Sequence, residues 1–244
     1  MLWNNSQPPI FLQKSKLFQF LFLIRKLYLT RTKLSHFSQF AEDVSLKRFF
    51  SKNRKGTFVD VGCFHPKKYN NTWQLYKRGW SGVNIDIDPI KIKGFDMIRP
   101  RDHNVACAVG CKNDEIEYYT KGYYSLTNST NAELSTERGI YAKKTTTCRK
   151  LNDILEASPL RNQQIDFLTI DAEGNDFDVL KSLNFETYKP MVIAIETNEN
   201  FLQDVIETNE FKFLKNHCYD LVAWCGMTII FINKEFSKDI TCLQ

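Results

Sequence analysis

The stretch FVDVGCFHP, residues 58–66, runs from a short apolar strand through an acidic residue to a single glycine. A strand followed by a glycine turn and a helical pattern is how a nucleotide-binding βαβ unit begins. The fingerprint G-x-G-x-x-G is not completed, because Gly62 is followed by the bulky residues CFHPKKY. Several glycines are needed where backbone amides crowd a pyrophosphate. The loop therefore predicts a ligand pocket at the end of this strand, for a ligand without a pyrophosphate.

Short runs of β-branched and apolar residues recur along the chain, most of them nearly continuous, as is typical of parallel strands covered on both faces. They are TFVDVG, GVNIDID, NVACAV, IDFLTIDAE and MVIAIET. Helical patterns fall between several of them, in NTWQLYKRG, RKLNDILEA and NDFDVLKSLNFETYK. This alternation predicts a doubly wound α/β sheet with a ligand crevice at the carboxyl ends of its strands.

Three further segments complete the predicted architecture. The tail YDLVAWCGMTIIFIN predicts two strands around a short Cys-Gly connection, so that the sheet ends in an antiparallel hairpin. The segment EIEYYTKGYYSLT predicts an additional irregular strand pair. Upstream of the first strand, SQFAEDVSLKRFF predicts a short helix with Glu42 and Asp43 near its positive end.

Composition favours one cytoplasmic domain. The chain has 244 residues, 43% of them hydrophobic, which is enough for one sizeable core. Its 33 Lys and Arg exceed its 28 Asp and Glu and give a formal charge of +5, compatible with an anionic substrate but short of a nucleic-acid-binding surface. The seven cysteines form no C-x-x-C pair, so we expect a reducing compartment without a disulfide framework or a structural zinc.

Residues 1–35 stand apart as an N-terminal arm before a domain of residues 36–244. The arm lacks the basic start and the cleavage site of a secretory signal. Its apolar run, residues 17–29, is interrupted by Gln19, Arg25 and Lys26 and falls short of the roughly 20 residues that cross a bilayer. Residues 14–34 fit an interfacial helix at the surface of an anionic membrane, and they also fit a helix packed on the domain or on a partner.

Carboxylates close four of the predicted strands: Asp60, then Asp86 and Asp88, then Asp171 and Glu173, and then Glu196. Any one of them could cap the helix that follows it, but four strands ending in this way favour a binding crevice. Asp86, 26 residues after Asp60, is placed to accept hydrogen bonds from a ribose diol. A ribose without a diphosphate among carboxylates favours S-adenosylmethionine, whose sulfonium and ammonium groups are cations.

Three blocks of the sequence, in this order, resemble the FkbM-type family of S-adenosylmethionine-dependent methyltransferases. The blocks are SQFAEDV, FVDVGCFHPKKYNNTWQLYKRGWSGVNIDIDP and IDAEGNDFDVLKSL, and the resemblance covers residues 38–200. It implies a class I methyltransferase fold: a Rossmann-like, doubly wound, mostly parallel seven-stranded sheet with a C-terminal antiparallel hairpin. It also implies O-methylation, frequently of sugar hydroxyls.

The resemblance assigns residues to the cofactor. Asp60 and Gly62 form the cofactor loop, and Asp86 binds the ribose. Asn71 and Thr72 begin the helix after the loop, where they meet the methionine carboxylate. Gln39 and Glu42 belong to an SQ-x-G-E-D block in which this chain has Ala41 where the family usually has glycine.

The same resemblance places Asp171, Glu173 and Gly174 in a D-x-E-G block near the point of methyl transfer. His65 fits a general base, and it also fits simple packing beside Pro66. Glu196 is a further catalytic candidate, although it is followed by TNEN where family members often have a histidine. A divalent metal ion is compatible with these carboxylates, but no pattern specifies one.

Asp102, in RPRDHN, fits a contact with the adenine amine or a surface turn.

We therefore predict an S-adenosylmethionine-dependent O-methyltransferase that acts on a glycan or a glycosylated acceptor. Loops such as residues 120–145 are expected to build the acceptor pocket. An RNA ribose methyltransferase and a non-catalytic cofactor-binding module of the same fold remain alternatives. An NAD-dependent oxidoreductase is disfavoured because the loop lacks the second and third glycines of the fingerprint.

Overall fold

The computed structural model describes residues 15–28, 36–122, 125, 128, 130 and 142–240. The chain divides into two units, Met1–Ser35 and His36–Gln244. In the first unit, helix α1 covers Lys16–Tyr28 and leaves Leu17, Phe20 and Leu21 exposed. Within the described ranges, no helix is long and apolar enough to cross a membrane. The interfacial role of residues 14–34 stays a prediction, because residues 14 and 29–35 lie outside the described residues.

The second unit contains ten strands among its described residues. They are β1 (Thr57–Val61), β2 (Ser81–Asp86), β3 (His103–Ala106), β4 (Ala108–Val109), β5 (Asp114–Thr120), β6 (Ala142–Arg149), β7 (Phe167–Ile170), β8 (Val192–Glu196), β9 (Tyr219–Cys225) and β10 (Thr228–Asn233). Seven of them form one sheet in the order β3-β2-β1-β7-β8-β10-β9. The first five are parallel, and β10 runs antiparallel to both β8 and β9. This order confirms the predicted doubly wound sheet with its antiparallel closing hairpin.

The helices of this unit are short. They are α2 (Glu42–Ser45), α3 (Trp73–Lys77), α4 (Pro89–Ile98), α5 (Leu151–Glu156), α6 (Asp176–Lys181), α7 (Leu202–Val205), α8 (Asn209–Asn216) and α9 (Lys234–Ile240), and a 3₁₀ helix covers Leu46–Arg48. Asp88 caps α4, since its side chain accepts the backbone N–H of Ile90 while Pro89 occupies the first turn. One of the carboxylates at the strand ends therefore has a capping role.

Both faces of the central sheet are covered, which explains the continuous apolar runs. Val59 and Val61 pack into one hydrophobic cluster, whereas Phe58 packs into a second cluster with Trp80 on the other face. Because successive strand residues point to opposite faces, Asp60 lies on the same face as Phe58.

The structure differs from the predicted strands beside β2. The run NVACAV is divided: β3 ends at Ala106, Cys107 donates its N–H to the carbonyl of Asp86, and β4 belongs to a second sheet of order β4-β6-β5. The segment predicted as an irregular strand pair contributes β5, which pairs with β6. The sequence AKKTTTCR of β6 lacks an apolar pattern, so periodicity did not indicate it. Much of the predicted acceptor loop, residues 123–141, lies outside the described residues apart from three positions.

Candidate active site

A crevice opens where β1, β7 and β8 end and β10 begins. It is lined by Gln39, Phe40, Glu42, Tyr69, Asn71, Thr169, Ile170, Asp171, Glu196, Met227 and Thr228. Five predicted site residues therefore lie together, namely Gln39, Glu42, Asn71, Asp171 and Glu196. A second hollow, between the start of α5 and the end of α6, is lined by Cys111, Lys150 and Lys181 among others, and it includes none of the predicted site residues.

Asp171 and Glu196 form a carboxyl pair in the crevice. Ile170 of β7 pairs with Ile195 of β8, so the residues that follow lie side by side, and their carboxyl groups are hydrogen-bonded. Desolvation by surrounding atoms raises the pKa of Asp171 well above its ordinary value, and the charges of Glu196, Asp176 and Glu173 raise it further. Asp171 is nevertheless exposed to solvent, which weakens desolvation. The contact with the Glu196 carboxyl group does not depend on burial, so the two carboxyl groups titrate as a pair.

The turn after β7 directs these side chains. Glu173 and Gly174 both have positive φ angles, of 51° and 97°. Asp176 accepts the backbone N–H groups of Ala172 and Gly174, at 2.9 and 3.2 Å. The turn is thus held by its own hydrogen bonds, with Asp171 at the crevice and Glu173 on the turn itself.

Glu42 fixes the N-terminal segment against β10. Its carboxylate accepts the backbone N–H of Phe40 at 2.7 Å and the hydroxyl of Thr228 at 3.0 Å, and the residue is buried. Ala41, between Phe40 and Glu42 in the chain, has a φ of 64°, a left-handed conformation that glycine adopts more easily. This explains the glycine that is usual at this position of the resembling block. The predicted cofactor contact of Glu42, like that of Gln39, stays a prediction.

Glycine is required at position 62 because another segment of the backbone passes very close to it. Its φ is 77°, and a Cβ atom added to it would lie 1.7 Å from the carbonyl oxygen of Asp171. Its own N–H donates to the carbonyl of Ile85 at 2.9 Å. The lone glycine therefore lets the loop after β1 pass the turn after β7, a role that does not involve a phosphate.

Asp60 lies at the centre of a buried polar network. Its Oδ2 accepts the Asn70 amide at 3.0 Å and the Thr72 hydroxyl at 2.7 Å. Arg99, fully buried, donates to the Asn70 Oδ1, the Thr72 hydroxyl and the Asp102 carboxylate, at 3.1, 2.9 and 2.8 Å. Burial raises the pKa of Asp60, whereas the charge of Arg99 lowers it. The network shapes the loop that joins β1 to α3.

Two of the predicted cofactor residues differ in exposure to the crevice. Asn71 lines it and donates its side-chain amide to the hydroxyl of Thr169 at 3.1 Å. Thr72 is fully buried, with its hydroxyl used by Asp60 and Arg99.

The structure does not bring Asp102 to the carboxyl ends of the strands. It precedes β3 and lies opposite the start of β2, where its carboxylate accepts the N–H of Gly82 and the amide of Asn84, both at 3.0 Å. With Arg99 as a third donor, its side chain is fully buried. This position is neither the adenine contact nor the surface turn that the sequence pattern allowed.

Asp86 anchors the start of α4 and the loop after Gly62. Its oxygens accept the N–H of Asp88 at 2.8 Å, the N–H of Phe64 at 3.1 Å and the ammonium of Lys91 at 3.1 Å. Burial raises the pKa of Asp86, and Lys91 opposes the shift. Burial, and then the charges of Asp88 and Asp86, raise the pKa of Tyr118 on β5. The predicted ribose contact remains a prediction.

His65 is poorly arranged to accept a proton. Its Nδ1 atom accepts the backbone N–H groups of Lys67 and Lys68, both at 3.0 Å, so the neutral ring carries its proton on Nε2. Burial, then Lys68 and then Lys67, lowers its pKa. His65 also does not line the crevice, so in this geometry the carboxyl pair is the better candidate for the base.

Sequence reasoning did not identify several residues that form these contacts. They are Phe40, Tyr69, Thr169, Met227 and Thr228 in the crevice and Asn70, Lys91 and Arg99 around the two buried aspartates. Thr228 could have been found, because the first residue of the closing antiparallel strand must lie at the carboxyl edge of the sheet. In the described part of the chain, no group of three or more His, Cys, Asp or Glu residues is arranged to hold a metal ion.

Residues 60–240 match the profile of the methyltransferase FkbM domain. The chain belongs to this family. The match begins at Asp60 and includes both carboxylates of the crevice pair, and it confirms the family predicted from the three sequence blocks. No curated protein gives a significant match to the chain.

Two solved structures resemble the chain at low identity. A methyltransferase FkbM from Methylobacillus flagellatus KT is 13% identical, with a TM-score of 0.44 over 73% of this chain and 43% of that chain. A TehB-like SAM-dependent methyltransferase from Corynebacterium glutamicum is 12% identical, with a TM-score of 0.41 over 88% of this chain and 97% of that chain. The chain thus spans less than half of the first of these proteins, and its family membership rests on the domain match.

Proposed function

We propose that this protein is an S-adenosylmethionine-dependent O-methyltransferase that methylates a hydroxyl of a glycan or of a glycosylated acceptor. The observation that carries the proposal is the hydrogen-bonded pair of Asp171 and Glu196, which faces an open crevice at the carboxyl ends of the strands. Ligands of doubly wound folds bind at this edge of the sheet. Membership of the FkbM methyltransferase family supports methyl transfer.

The residues at the strand ends fit a cationic methyl donor. Asp171 and Glu196, at the ends of β7 and β8, line the crevice, where a sulfonium and an ammonium group would be attracted to their charge, while Asp60 would hold the cofactor loop in place. Asp86 would hold the ribose, and Asn71 would hold the methionine carboxylate. When bound, the cofactor supplies a methyl group that leaves the sulfonium sulfur with the sulfur keeping the bonding electron pair.

The carboxyl pair would accept the proton that the acceptor hydroxyl loses as its oxygen forms a bond to carbon. A carboxylate whose pKa is raised is a stronger base than an ordinary aspartate, and proton transfer is most efficient when the pKa lies nearer the working pH. The hydrogen bond between Asp171 and Glu196 requires a proton on one of the two carboxyl groups, so it favours the state in which the pair holds one proton. Asp171 is exposed, so a bound hydroxyl can reach it.

Cofactor binding and turnover test the proposal separately. Calorimetry should show binding of S-adenosylmethionine and no binding of NAD, and a set of glycans should be screened for conversion of the cofactor to S-adenosylhomocysteine. Binding of NAD instead would contradict the proposal. Cofactor binding without turnover on any acceptor would indicate a binding module, and turnover on RNA with a steep salt dependence would indicate an RNA methyltransferase.

A further inference from the structure

We propose that the acceptor is a sugar ring with an anionic substituent, which stacks on Tyr69 and Phe40 while Lys67 and Lys68 bind the anion. This inference rests on the proposed function and specifies its substrate class. It is carried by the rim of the crevice, defined here as Phe40, Lys67, Lys68, Tyr69 and Met227.

The rim presents large apolar side chains to solvent next to the carboxyl pair. Phe40 is 42% exposed, Tyr69 43% and Met227 39%, and all three line the crevice. Aromatic rings left exposed around a concave site with a few polar groups are typical of ligand-binding surfaces. The puckered ring of a sugar has apolar C–H groups on its faces and hydroxyls at its edge, so it suits contact with aromatic side chains beside polar groups.

Tyr69 is held in place despite backbone strain. Its φ is 53°, a left-handed conformation that is unfavourable for an aromatic residue. Its ring stacks on Phe64, with centroids 6.4 Å apart. The neighbouring Asn70 is fixed by its bonds to Asp60 and Arg99, so the segment is anchored immediately after Tyr69. Strain retained beside a crevice is consistent with a binding role for the exposed ring.

Phe40 is positioned from the other side. A Cβ atom added to Gly226 would lie 2.1 Å from the ring of Phe40, so the ring rests directly on this glycine. The backbone N–H of Phe40 is bound by the buried carboxylate of Glu42. The second aromatic residue of the rim is therefore also held on a fixed backbone.

Lys67 and Lys68 add positive charge at the rim. Both are exposed; the Nζ atom of Lys68 lies 4.5 Å from the centroid of the Tyr69 ring, and that of Lys67 lies 5.7 Å from the centroid of the Trp73 ring. Ion pairs among the described residues engage other lysines, such as Lys181, Lys212 and Lys215, but neither of these two. A sugar held against the exposed part of Tyr69 would thus bring an exocyclic anion close to Lys68, whose ammonium group, like that of Lys67, has no carboxylate partner among the ion pairs of the described residues.

The distribution of charge would orient such an acceptor. Asp171 and Glu196 lie inside the crevice, whereas Lys67 and Lys68 lie outside it at the rim. Carboxylates would repel the anion and the ammonium groups would attract it, so the substituent points outward and a hydroxyl on the ring points inward.

The test compares a charged sugar with its neutral counterpart. Methyl β-D-glucuronide and methyl β-D-glucoside are titrated by NMR into the full chain with S-adenosylhomocysteine present, and glucose 6-phosphate with glucose serves as the phosphate pair. We expect the charged sugar to bind about three- to tenfold more tightly, the range for one or two exposed ion pairs. The advantage should fall as salt is raised, because exposed charges are screened.

Substituted variants test whether Lys67 and Lys68 cause the preference for the charged sugar. The double substitution Lys67→Gln and Lys68→Gln should abolish the advantage of the charged sugar, whereas Lys52→Gln with Lys55→Gln, an equal change in charge before β1, should preserve it. Tyr69→Ala should weaken both sugars alike, since it removes the stacking surface. The His65 signal gives a second readout: its pKa should rise in the Lys67 and Lys68 variant and on binding of the charged sugar only.

The outcomes separate this inference from the proposed function. Equal affinity for charged and neutral sugars, or binding of neither, overturns the inference while leaving cofactor binding intact. A loss of S-adenosylmethionine binding in the Lys67 and Lys68 variant also overturns it, because the lysines would then bind the cofactor. If the wild-type chain binds no S-adenosylmethionine, the proposed function fails, and the preference for charged sugars is judged from the same titrations without the cofactor product.

Discussion

Asp60 and Asp171 end two adjacent parallel strands, yet their surroundings are opposite. Asp60 on β1 is buried and receives hydrogen bonds from Asn70 and Thr72, with Arg99 behind them. Asp171, just beyond β7, is exposed and is paired with another acid, Glu196. Both have a raised pKa: burial raises that of Asp60 against the positive charge of Arg99, whereas desolvation by surrounding atoms and the negative charges of Glu196, Asp176 and Glu173 raise that of Asp171.

The difference shows how one edge of a sheet can serve both structure and chemistry. A carboxylate with donors and a nearby cation is satisfied and holds a loop in place. A carboxylate beside another carboxylate keeps a proton that is easily exchanged, which is useful only where a reacting group can approach. Only the second arrangement faces the open crevice, so the two aspartates should respond differently to substitution.

The largest loss of stability is expected on substitution of Gly62, which lies between Asp60 and the turn that begins at Asp171. Gly62→Ala places a Cβ atom 1.7 Å from the Asp171 carbonyl, so the loop and the turn cannot both keep their positions. We expect a loss of more than about 4 kcal/mol in the free energy of unfolding, or no folded protein. Denaturant titration measures it.

The control is Gly79→Ala. Gly79 has a similar φ of 91°, but the nearest atom to an added Cβ is a Lys55 side-chain carbon at 3.5 Å. Strain alone should then cost about 1–2 kcal/mol. Equal losses at the two glycines would show that the contact with Asp171 is unimportant.

The next effect tests the Asp60 network. Arg99→Met removes the guanidinium that binds Asn70, Thr72 and Asp102 and leaves Asp102 as a buried unpaired charge. We expect a loss of about 3–5 kcal/mol of unfolding free energy in denaturant titrations. Arg161→Met, which breaks an exposed pair with Glu156, should lose at most about 1 kcal/mol.

The third prediction concerns the rate of methyl transfer and not the stability of the fold. Asp171→Asn and Glu196→Gln keep the shape of the carboxyl pair and remove its basic group, so methyl transfer should fall by about a hundredfold, equivalent to about 2.7 kcal/mol. The melting temperature should change little. Rates are measured as formation of S-adenosylhomocysteine with the acceptor that supports turnover.

Glu173→Gln is the matched control, because Glu173 lies on the same turn and its charge also raises the pKa of Asp171, but it is not among the residues that line the crevice. Its rate should fall less than in the other two variants. Near-normal turnover in both Asp171→Asn and Glu196→Gln would show that another group is the general base.

The dependence of the methyl-transfer rate on pH tests whether Asp171 is the titrating base. Methyl transfer needs the carboxylate form, so the rate should rise with pH through the raised pKa of Asp171. In Glu196→Gln the like charge is gone, so the pKa of Asp171 falls and the residual activity should begin at lower pH. A rising limb that stays in place would show that Asp171 is not the titrating group.

The smallest effect is a gain of stability near the crevice. Ala41 adopts a left-handed conformation that glycine tolerates better, so Ala41→Gly should stabilise the protein by about 0.5–1 kcal/mol. Thermal and denaturant unfolding measure it. A loss of stability would mean that the methyl group of Ala41 packs better than its backbone angle suggests.

Local pattern predicted the main sheet but not the small one. The strands β1, β2, β7 and β8 are buried on both faces and therefore have continuous apolar runs. Strand β6 is polar and half exposed, and it is defined by its pairing with β5 rather than by its own sequence. The sequence also did not indicate where Asp102 lies, because its hydrogen-bond donors, Gly82 of β2 and Arg99, are brought to it only by the fold.

The sequence by itself determined the family, the order along the chain of the strands in the main sheet, and the placing of Asp60, Asp86, Asp171 and Glu196 at one edge of that sheet. Those features depend on short-range periodicity and on the rule that parallel strands end on the same side. Only the tertiary structure decided that Arg99 supports Asp60 while Glu196 pairs with Asp171, and that His65 has its Nδ1 occupied. Protonation and hydrogen bonding depend on neighbours distant in the chain, whose side chains meet only when the sheet is assembled.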